Sequence, residues 1–410
     1  MSIKILHTAD WHLGKKLDHF SRTEEQRLVL SEICEIADNQ EADVIVIAGD
    51  LFDTFNPPVE AVDLFYKTLK KLAKNGQRPV IAIAGNHDSP DRIDAPYPLA
   101  RECGIIFIGN LDVKVPTMNI ENGFEITKSD VGFFEIKLPK YDYPIRIIAT
   151  PYANEIRLKT YLGNEDKELQ LNQLLMDSWK KLADTYCDTK GVNVLTTHLY
   201  MLQREGEILE EPEGEKPLKI GNADIVYTDC IPEQIQYTAL GHLHRFQNVG
   251  GHNSPVIYSS SPLSYSFSET GQDKKVILIE AEPNKPVLYK ELQLLSGRQL
   301  HRKRFESIDE SVEWLLANPY SLVELTLVSD TFISNQDLKR IHESHDGIIY
   351  IIPVISKSAT DDENTAVRVN LEQDIQGLFK DFFISKYKQE PNDDILDLFK
   401  EVQGLTNKNL

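Results

Sequence analysis

Short apolar runs, many β-branched, alternate with longer stretches whose apolar positions recur three and four residues apart. Residues 3–9, 44–48, 79–84, 104–108, 145–150, 192–196, 237–240, 256–259 and 275–280 read as strands. Residues 23–39 and 58–75 read as helices, the second with Val59, Val62, Tyr66, Leu69 and Ala73 on one face. This alternation of strand-like runs with amphipathic segments suggests an α/β architecture. AEPNKP at 281–286 marks a seam, and the pattern restarts over 292–355 as strand, helix, strand, helix, strand, enough for a small α+β unit. EGEILEEPEGEK (205–216) reads as an acidic surface loop and SKSATDDENTA (356–366) as a polar linker. Beyond the linker, Ile375, Leu378, Phe379, Phe382 and Phe383 fall at i, i+3, i+4, i+7 and i+8. After Pro391, with Asn392 as N-cap, Ile395, Leu398, Phe399 and Val402 repeat the pattern. Two such helices could pack on the main body, but placed after a linker they read better as a groove for a partner's helix.

At 410 residues, with 41% apolar and 26% charged residues, the chain suits a soluble globular protein of more than one domain. No apolar run approaches the roughly 20 residues that cross a bilayer, and no leader precedes the first strand, so the expectation is a cytoplasmic protein without a membrane partner. Cys34, Cys103, Cys187 and Cys230 form no CxxC pair, which leaves oxygen and nitrogen donors for any metal chemistry. The net charge of −20 argues against a free-standing DNA binder. A nucleic-acid role would need bound cations, local basic residues such as Lys15, Lys16, Arg92 and Arg245, or a second chain. No GxxxxGK[ST] motif occurs, so any ATP dependence must come from a partner.

The chemistry collects where the apolar runs stop. LHTADWHLG carries Asp10 and His12, VIVIAGD ends in Asp50, IAIAGNHD carries Asn86, His87 and Asp88, VLTTH ends in His198, and TALGHLH delivers His242 and His244. Ligands of α/β sheets bind outside the carboxyl ends of the strands, so five such ends imply one site. Asp10, His12, Asp50, Asn86, His198, His242 and His244 supply mixed oxygen and imidazole donors that suit Mn, Fe or Zn. Seven donors overfill one ion and suit two ions about 4 Å apart if a carboxylate, naturally Asp50, bridges them. Such a pair is built for phosphoester hydrolysis. His87 either donates a proton to the leaving oxygen or ligates while another residue catalyses. Asp88 is expected to brace the turn, and Trp11 to point away and pack.

The set D-x-H, G-D, G-N-H-D, T-H and G-H-x-H resembles the metallophosphoesterase (calcineurin-like) superfamily. ILHTADWHLGKKL, GDLFDTFNPP, GNHDSPDRI, ALGHLHRFQNVGG and YSSSPLSYSFSE resemble, more narrowly, its bacterial SbcD group of nuclease subunits. GDLFDTF lacks the arginine of the protein-phosphatase pattern GDxVDRG, which argues against that branch. The resemblance implies a metallophosphoesterase β-sandwich flanked by helices (1–285), a small α+β capping domain (286–356), a linker (357–370) and a helical segment at 371–410 that grips the coiled coil of an SMC-type ATPase partner, SbcC-like. It also implies a homodimer, for which helix 58–75 is the candidate surface. Asp10, His12, Asp50 and His244 would hold one ion and Asp50, Asn86, His198 and His242 the other, Mn2+ being the expected metal and His87 the catalytic histidine. Asp53 stands where archaeal relatives carry a histidine near the substrate. The implied activity is hydrolysis of DNA, as exonuclease on double strands and endonuclease on single strands or hairpins, in repair, recombination and replication. The alternative is a small-molecule phosphodiesterase or nucleotidase of the same superfamily. A non-catalytic, metal-stabilised scaffold is a third reading.

Overall fold

The computed structural model describes residues 1–162, 167–206, 225–329 and 333–355, with positions 379–380, 383, 390–391, 395–396 and 399 beyond. Two sheets stack face to face. The first has the spatial order Leu288–Gln293, Lys275–Ala281, Ile3–Thr8, Val44–Ile47, Val80–Ile83, Ile105–Ile108. The last four run parallel, and Lys275–Ala281 pairs antiparallel with Ile3–Thr8. In the second sheet, Ile145–Thr150, Val192–His198, Tyr237–Gly241 and Val256–Tyr258 form a parallel centre, extended on one side by antiparallel Phe133–Lys137 and Glu125–Asp130. Each parallel centre is built from the apolar runs predicted from sequence.

Alternation along these strands sorts side chains into two buried faces rather than one buried and one wet. Ile3, Ile5, Val44, Val46, Ile81 and Ile83 pack inward against Phe134, Ile136, Ile145, Ile147, Val192 and Val194 of the other sheet. The intervening Leu6, Ile45, Ile47 and Ala82 face outward against Leu30, Ile33, Leu64 and Phe65 of helices Thr23–Asn39 and Val59–Ala73. On the far side Ile148, Leu195 and Leu240 meet Leu171, Leu175 and Trp179 of helix Lys167–Tyr186. The layers are therefore helix, sheet, sheet, helix.

Helix Val59–Ala73 differs from its predicted stripe. Val59 is 85% exposed and Val62 and Tyr66 only partly covered, while Leu64, Phe65, Leu69 and Leu72 are buried. The outer face, expected as a dimer surface, carries the exposed Glu60, Asp63, Lys67, Lys70 and Lys71. The boundary expected at 285–286 also falls early, because Leu288–Gln293 still pairs into the first sheet. The three-stranded sheet of Gln299–Phe305, Ser321–Ser329 and Ile348–Ile355 follows, its core made by Val312, Leu315 and Ile341 of two helices against Val323, Leu325 and Leu327.

The chain divides into two compact units, 1–354 and 355–410. In the second, Phe379 stacks on Phe399 with ring centroids 4.1 Å apart and meets Phe383 at 5.9 Å. Ile395 is helical. Ile375, Leu378, Phe382, Leu398 and Val402, and the linker 357–370, lie outside the described residues.

Candidate metal centre

The five strand ends do meet, but they come from two sheets. Asp10, Asp50 and Asn86 follow Ile3–Thr8, Val44–Ile47 and Val80–Ile83 of the first sheet, and His198 and His242 lie at the ends of Val192–His198 and Tyr237–Gly241 of the second. The backbone turns sharply at four of the seven ligands. Asp10, His12, Asp50 and His242 all have φ between 43° and 106°, an unfavourable region for non-glycine residues that surrounding bonds must hold. Asp10 N–H donates to the Gly49 carbonyl (3.0 Å) and His12 N–H to the Asp50 carbonyl (2.9 Å), tying the first two turns together. Two glycines make room for the ligands themselves. A Cβ on Gly49 would overlap the His198 ring, and one on Gly85 would overlap Asp50 Oδ1.

Each aspartate divides its labour. Asp10 Oδ1 accepts from His242 N–H at 2.8 Å, and Asp50 Oδ1 accepts from His87 N–H at 2.9 Å. The second oxygens, Asp10 Oδ2 and Asp50 Oδ2, are buried and accept no hydrogen bond among the described residues. A buried carboxylate oxygen without a donor is costly unless a cation faces it. Asp50 Oδ2 lies 3.6 Å from His12 Nε2 and 3.3 Å from His198 Nε2, hence between two ligand groups. One group brings together Asp10, His12 and His244; the other joins Asp50, His198 and His242. The Nε2 atoms of His12 and His244 converge to 3.0 Å, and Asn86 Oδ1 lies 2.9 Å from His198 Nε2 and 3.3 Å from His242 Nδ1. All seven predicted donors are thus gathered in one place, and the residues fit two cations sharing Asp50.

Electrostatics supports that fit. Burial pushes the Asp10 carboxyl up to about 7, opposed by His198 and His244 and assisted by the Asp50 charge. Burial also acts to raise Asp50, but the imidazoles of His198, His87 and His12 outweigh it and hold that carboxyl well below its usual range. Burial alone would lower His198, yet the Asp50 carboxylate lifts it to about 9. The charge that Asp50 places among these imidazoles is one that a bound cation can take over from a proton.

The second layer is also assembled. Asp88 accepts three backbone N–H groups, from Leu51 (3.0 Å), Phe52 (2.9 Å) and Gly85 (2.8 Å), and so braces both the Asp50 and the Asn86 turns. Trp11 packs edge-on against Phe65, away from the cluster. His87 Nδ1 lies 2.8 Å from the Asp53 carbonyl, which can only accept, so Nδ1 carries a proton and Nε2 is the atom that exchanges one. Asp53 also lies 3.4 Å from the Lys15 ammonium and forms a third potential ligand group with His12 and His87. Lys16, Arg92 and Arg245 are exposed, with Arg92 bonded to Asn56 Oδ1 at 2.9 Å.

Sequence reasoning missed several supporting residues. Arg157 donates to the Gly85 and Asp88 carbonyls at 2.9 and 2.8 Å, clamping the Asn86–His87 turn, and no local pattern marks it. Gln26 Nε2 donates to the His12 carbonyl at 3.0 Å from a helix face that reads as ordinary. Tyr265 packs against the His12 and His244 rings, and Glu269 reaches His244. Both lie in the quoted YSSSPLSYSFSE, a stretch whose serines and aromatics suggested no ligand role.

Residues 3–246 match the calcineurin-like phosphoesterase family. The chain is 33% identical over 408 residues to the SbcD component of the SbcCD nuclease of Bacillus subtilis, covering 98% of this chain and 97% of that protein. It is 29% identical to the SbcD component of the Staphylococcus epidermidis nuclease, covering 93% and 92% of the two chains. It is 30% identical to the Rhodobacter capsulatus counterpart, covering 68% and 66%. A two-sheet sandwich with its ligands at the strand ends, the complete motif set and similarity along nearly the whole length converge on one conclusion: the chain belongs to the calcineurin-like phosphoesterase family and, within it, to the SbcD group of nuclease subunits.

Proposed function

We propose that the chain is the metal-dependent nuclease subunit of a two-component complex. It hydrolyses DNA phosphodiesters, as exonuclease on duplex ends and endonuclease on single strands or hairpins, beside an SbcC-like ATPase of the SMC type that consumes the ATP. The observation that carries this reading is Asp50 Oδ2, buried between His12 Nε2 at 3.6 Å and His198 Nε2 at 3.3 Å, so that one carboxylate oxygen faces both ligand groups.

Asp10, His12, Asp50 and His244 would hold one ion, and Asp50, Asn86, His198 and His242 the other. The mixed oxygen and nitrogen set favours Mn2+ over all-oxygen Mg2+ or Ca2+ sites. When bound, two such cations supply the positive charge that polarises a phosphoryl group and favours the deprotonated form of water near neutral pH. The chain's own contribution is to position and to move a proton. His87, with Nδ1 committed to the Asp53 carbonyl, presents Nε2 as the donor to the departing 3′ or 5′ oxygen. Lys15, 3.4 Å from Asp53, and the exposed Lys16, Arg92 and Arg245 would meet the DNA backbone. The paired aromatic helices near the carboxyl end serve the ATPase coiled coil, and the chain works as a cytoplasmic homodimer in DNA end processing, repair, recombination and replication.

The test is Mn2+-dependent cleavage of end-labelled duplex DNA by the purified chain, with and without the co-purified ATPase. His87→Ala is expected to retain two equivalents of Mn2+ and lose cleavage by about 100-fold or more, the ordinary contribution of a positioned acid. A vacant metal position in that variant would make His87 a ligand instead.

A further inference from the structure

Two of the gathered histidines are anchored differently at the ring nitrogen that faces away from the cluster. His198 Nδ1 is 2.8 Å from the carbonyl of Ala48, a neutral acceptor. His244 Nδ1 is 3.4 Å from Oε1 of Glu269, a carboxylate 2% exposed. Oε1 of Glu269 also accepts from the Tyr265 and Ser266 N–H groups, each at 3.0 Å. Its other oxygen is bonded by the buried Lys274 ammonium, which in turn donates to the His244 carbonyl at 2.9 Å and to Ser261 Oγ at 3.0 Å. Lys274 therefore grips the backbone of the same histidine whose ring Glu269 faces.

Burying a carboxylate and an ammonium together is expensive, and replacing such pairs with apolar residues is often neutral or stabilising. A structural purpose exists, since Glu269 completes a capping box on the short turn Phe267–Glu269. A neutral glutamine would serve that purpose without burying charge. The arrangement toward His244 does require charge, because a carboxylate on the outer nitrogen fixes the ring tautomer and raises the basicity of the inner one. The inner nitrogen, Nε2, lies 3.0 Å from His12 Nε2, inside the Asp10–His12–His244 group.

We propose that Glu269, held by Lys274, is a positioning residue that fixes His244 with its proton on Nδ1 and thereby sets the cation affinity of the Asp10–His12–His244 group alone. The two metal positions are accordingly unequal by construction, one supported by a carboxylate and the other by a backbone carbonyl. This inference rests on the two-cation reading of the site.

The experiment is a titration of the metal-free full chain with Mn2+, followed by calorimetry and electron paramagnetic resonance. The wild type is expected to take up two ions. In Glu269→Gln one affinity should fall about tenfold or more, with the other within about twofold of wild type. A lower melting temperature with both affinities unchanged would reduce Glu269 to a turn cap and overturn the proposal. If that variant does not fold, the imidazole 15N spectrum of the metal-free wild type decides, with His244 assigned by its loss in His244→Asn. A proton on Nδ1 supports the proposal, and one on Nε2 overturns it. Failure of the wild type to take up two ions would instead remove the two-cation reading, and the tautomer spectrum would still judge Glu269.

Discussion

His7 is the residue that shows most directly what a buried polar group costs and supplies. It sits mid-strand between the two sheets, fully buried, with Nε2 donating to the Leu240 carbonyl (3.1 Å) and Nδ1 accepting from the Tyr237 hydroxyl (2.9 Å). Both bonds cross from the first sheet to the second, and the one accepted by Nδ1 requires the neutral ring. Burial accordingly drives its pKa from 6.5 down to about 3, against a smaller upward pull from the Leu240 carbonyl. Between those values the unfolded chain binds a proton that the folded chain refuses. The stability is whole above about pH 6.5 and drains away as the pH falls toward 3, by up to about 5 kcal/mol at the acid end. Thermal unfolding of His7→Gln should show a flatter pH dependence between 6.5 and 4 than the wild type; parallel curves would contradict this account.

At the scale of elements, the strand ends matter more than the strands. The apolar runs reached the structure within a residue or two because covered parallel strands have few other ways to be written. Asp10, Asp50, Asn86, His198, His242 and His244 stood out because each interrupts such a run where the backbone turns. What local pattern could not convey was which sheet each strand joined, so a site expected at the edge of one sheet is shared by two. Edge elements were missed for a related reason. Glu125–Asp130 and Leu288–Gln293 are half-polar or exposed, and their alternation is too weak to read as strand. Glu269 and Arg157 were illegible because their significance depends on residues 25 and 72 positions away in the chain.

The turns at those strand ends are held by Asp88 rather than by their own propensities. Asp88→Ala would leave the Leu51, Phe52 and Gly85 N–H groups buried without their acceptor, at about 1–3 kcal/mol apiece. A total loss of about 3–9 kcal/mol in urea unfolding is expected, with Asp88→Asn intermediate because one acceptor oxygen survives. If both variants unfold at the wild-type midpoint, the brace is decorative.

Across the whole molecule, the division at Ile355 leaves the whole ligand cluster within one compact unit. Unit 1–354 contains the sandwich, all seven donors and His87, whereas the stacked Phe379 and Phe399 lie in unit 355–410. Deleting residues 371–410 should leave Mn2+ binding and hydrolysis of a model phosphodiester within about twofold of wild type while abolishing co-purification of the ATPase. Retained co-purification would move the partner surface elsewhere, and lost hydrolysis would show that the two units are not independent.

The pairing of Ile3–Thr8 with Lys275–Ala281 has a consequence for how the protein is made. Those strands meet in antiparallel register from Ile3 with Ala281 to His7 with Ile277. The ribosome therefore releases Ile3–Thr8 first and supplies its neighbour only after the entire second sheet has been translated. Throughout that interval one edge of Ile3–Thr8 is open, an adhesive template for other nascent chains. Synthesis at about 5–20 residues per second leaves the edge uncovered for roughly 15–50 s. A chaperone that shields early-emerging strands should thus govern the yield of this protein more strongly than its finished stability does.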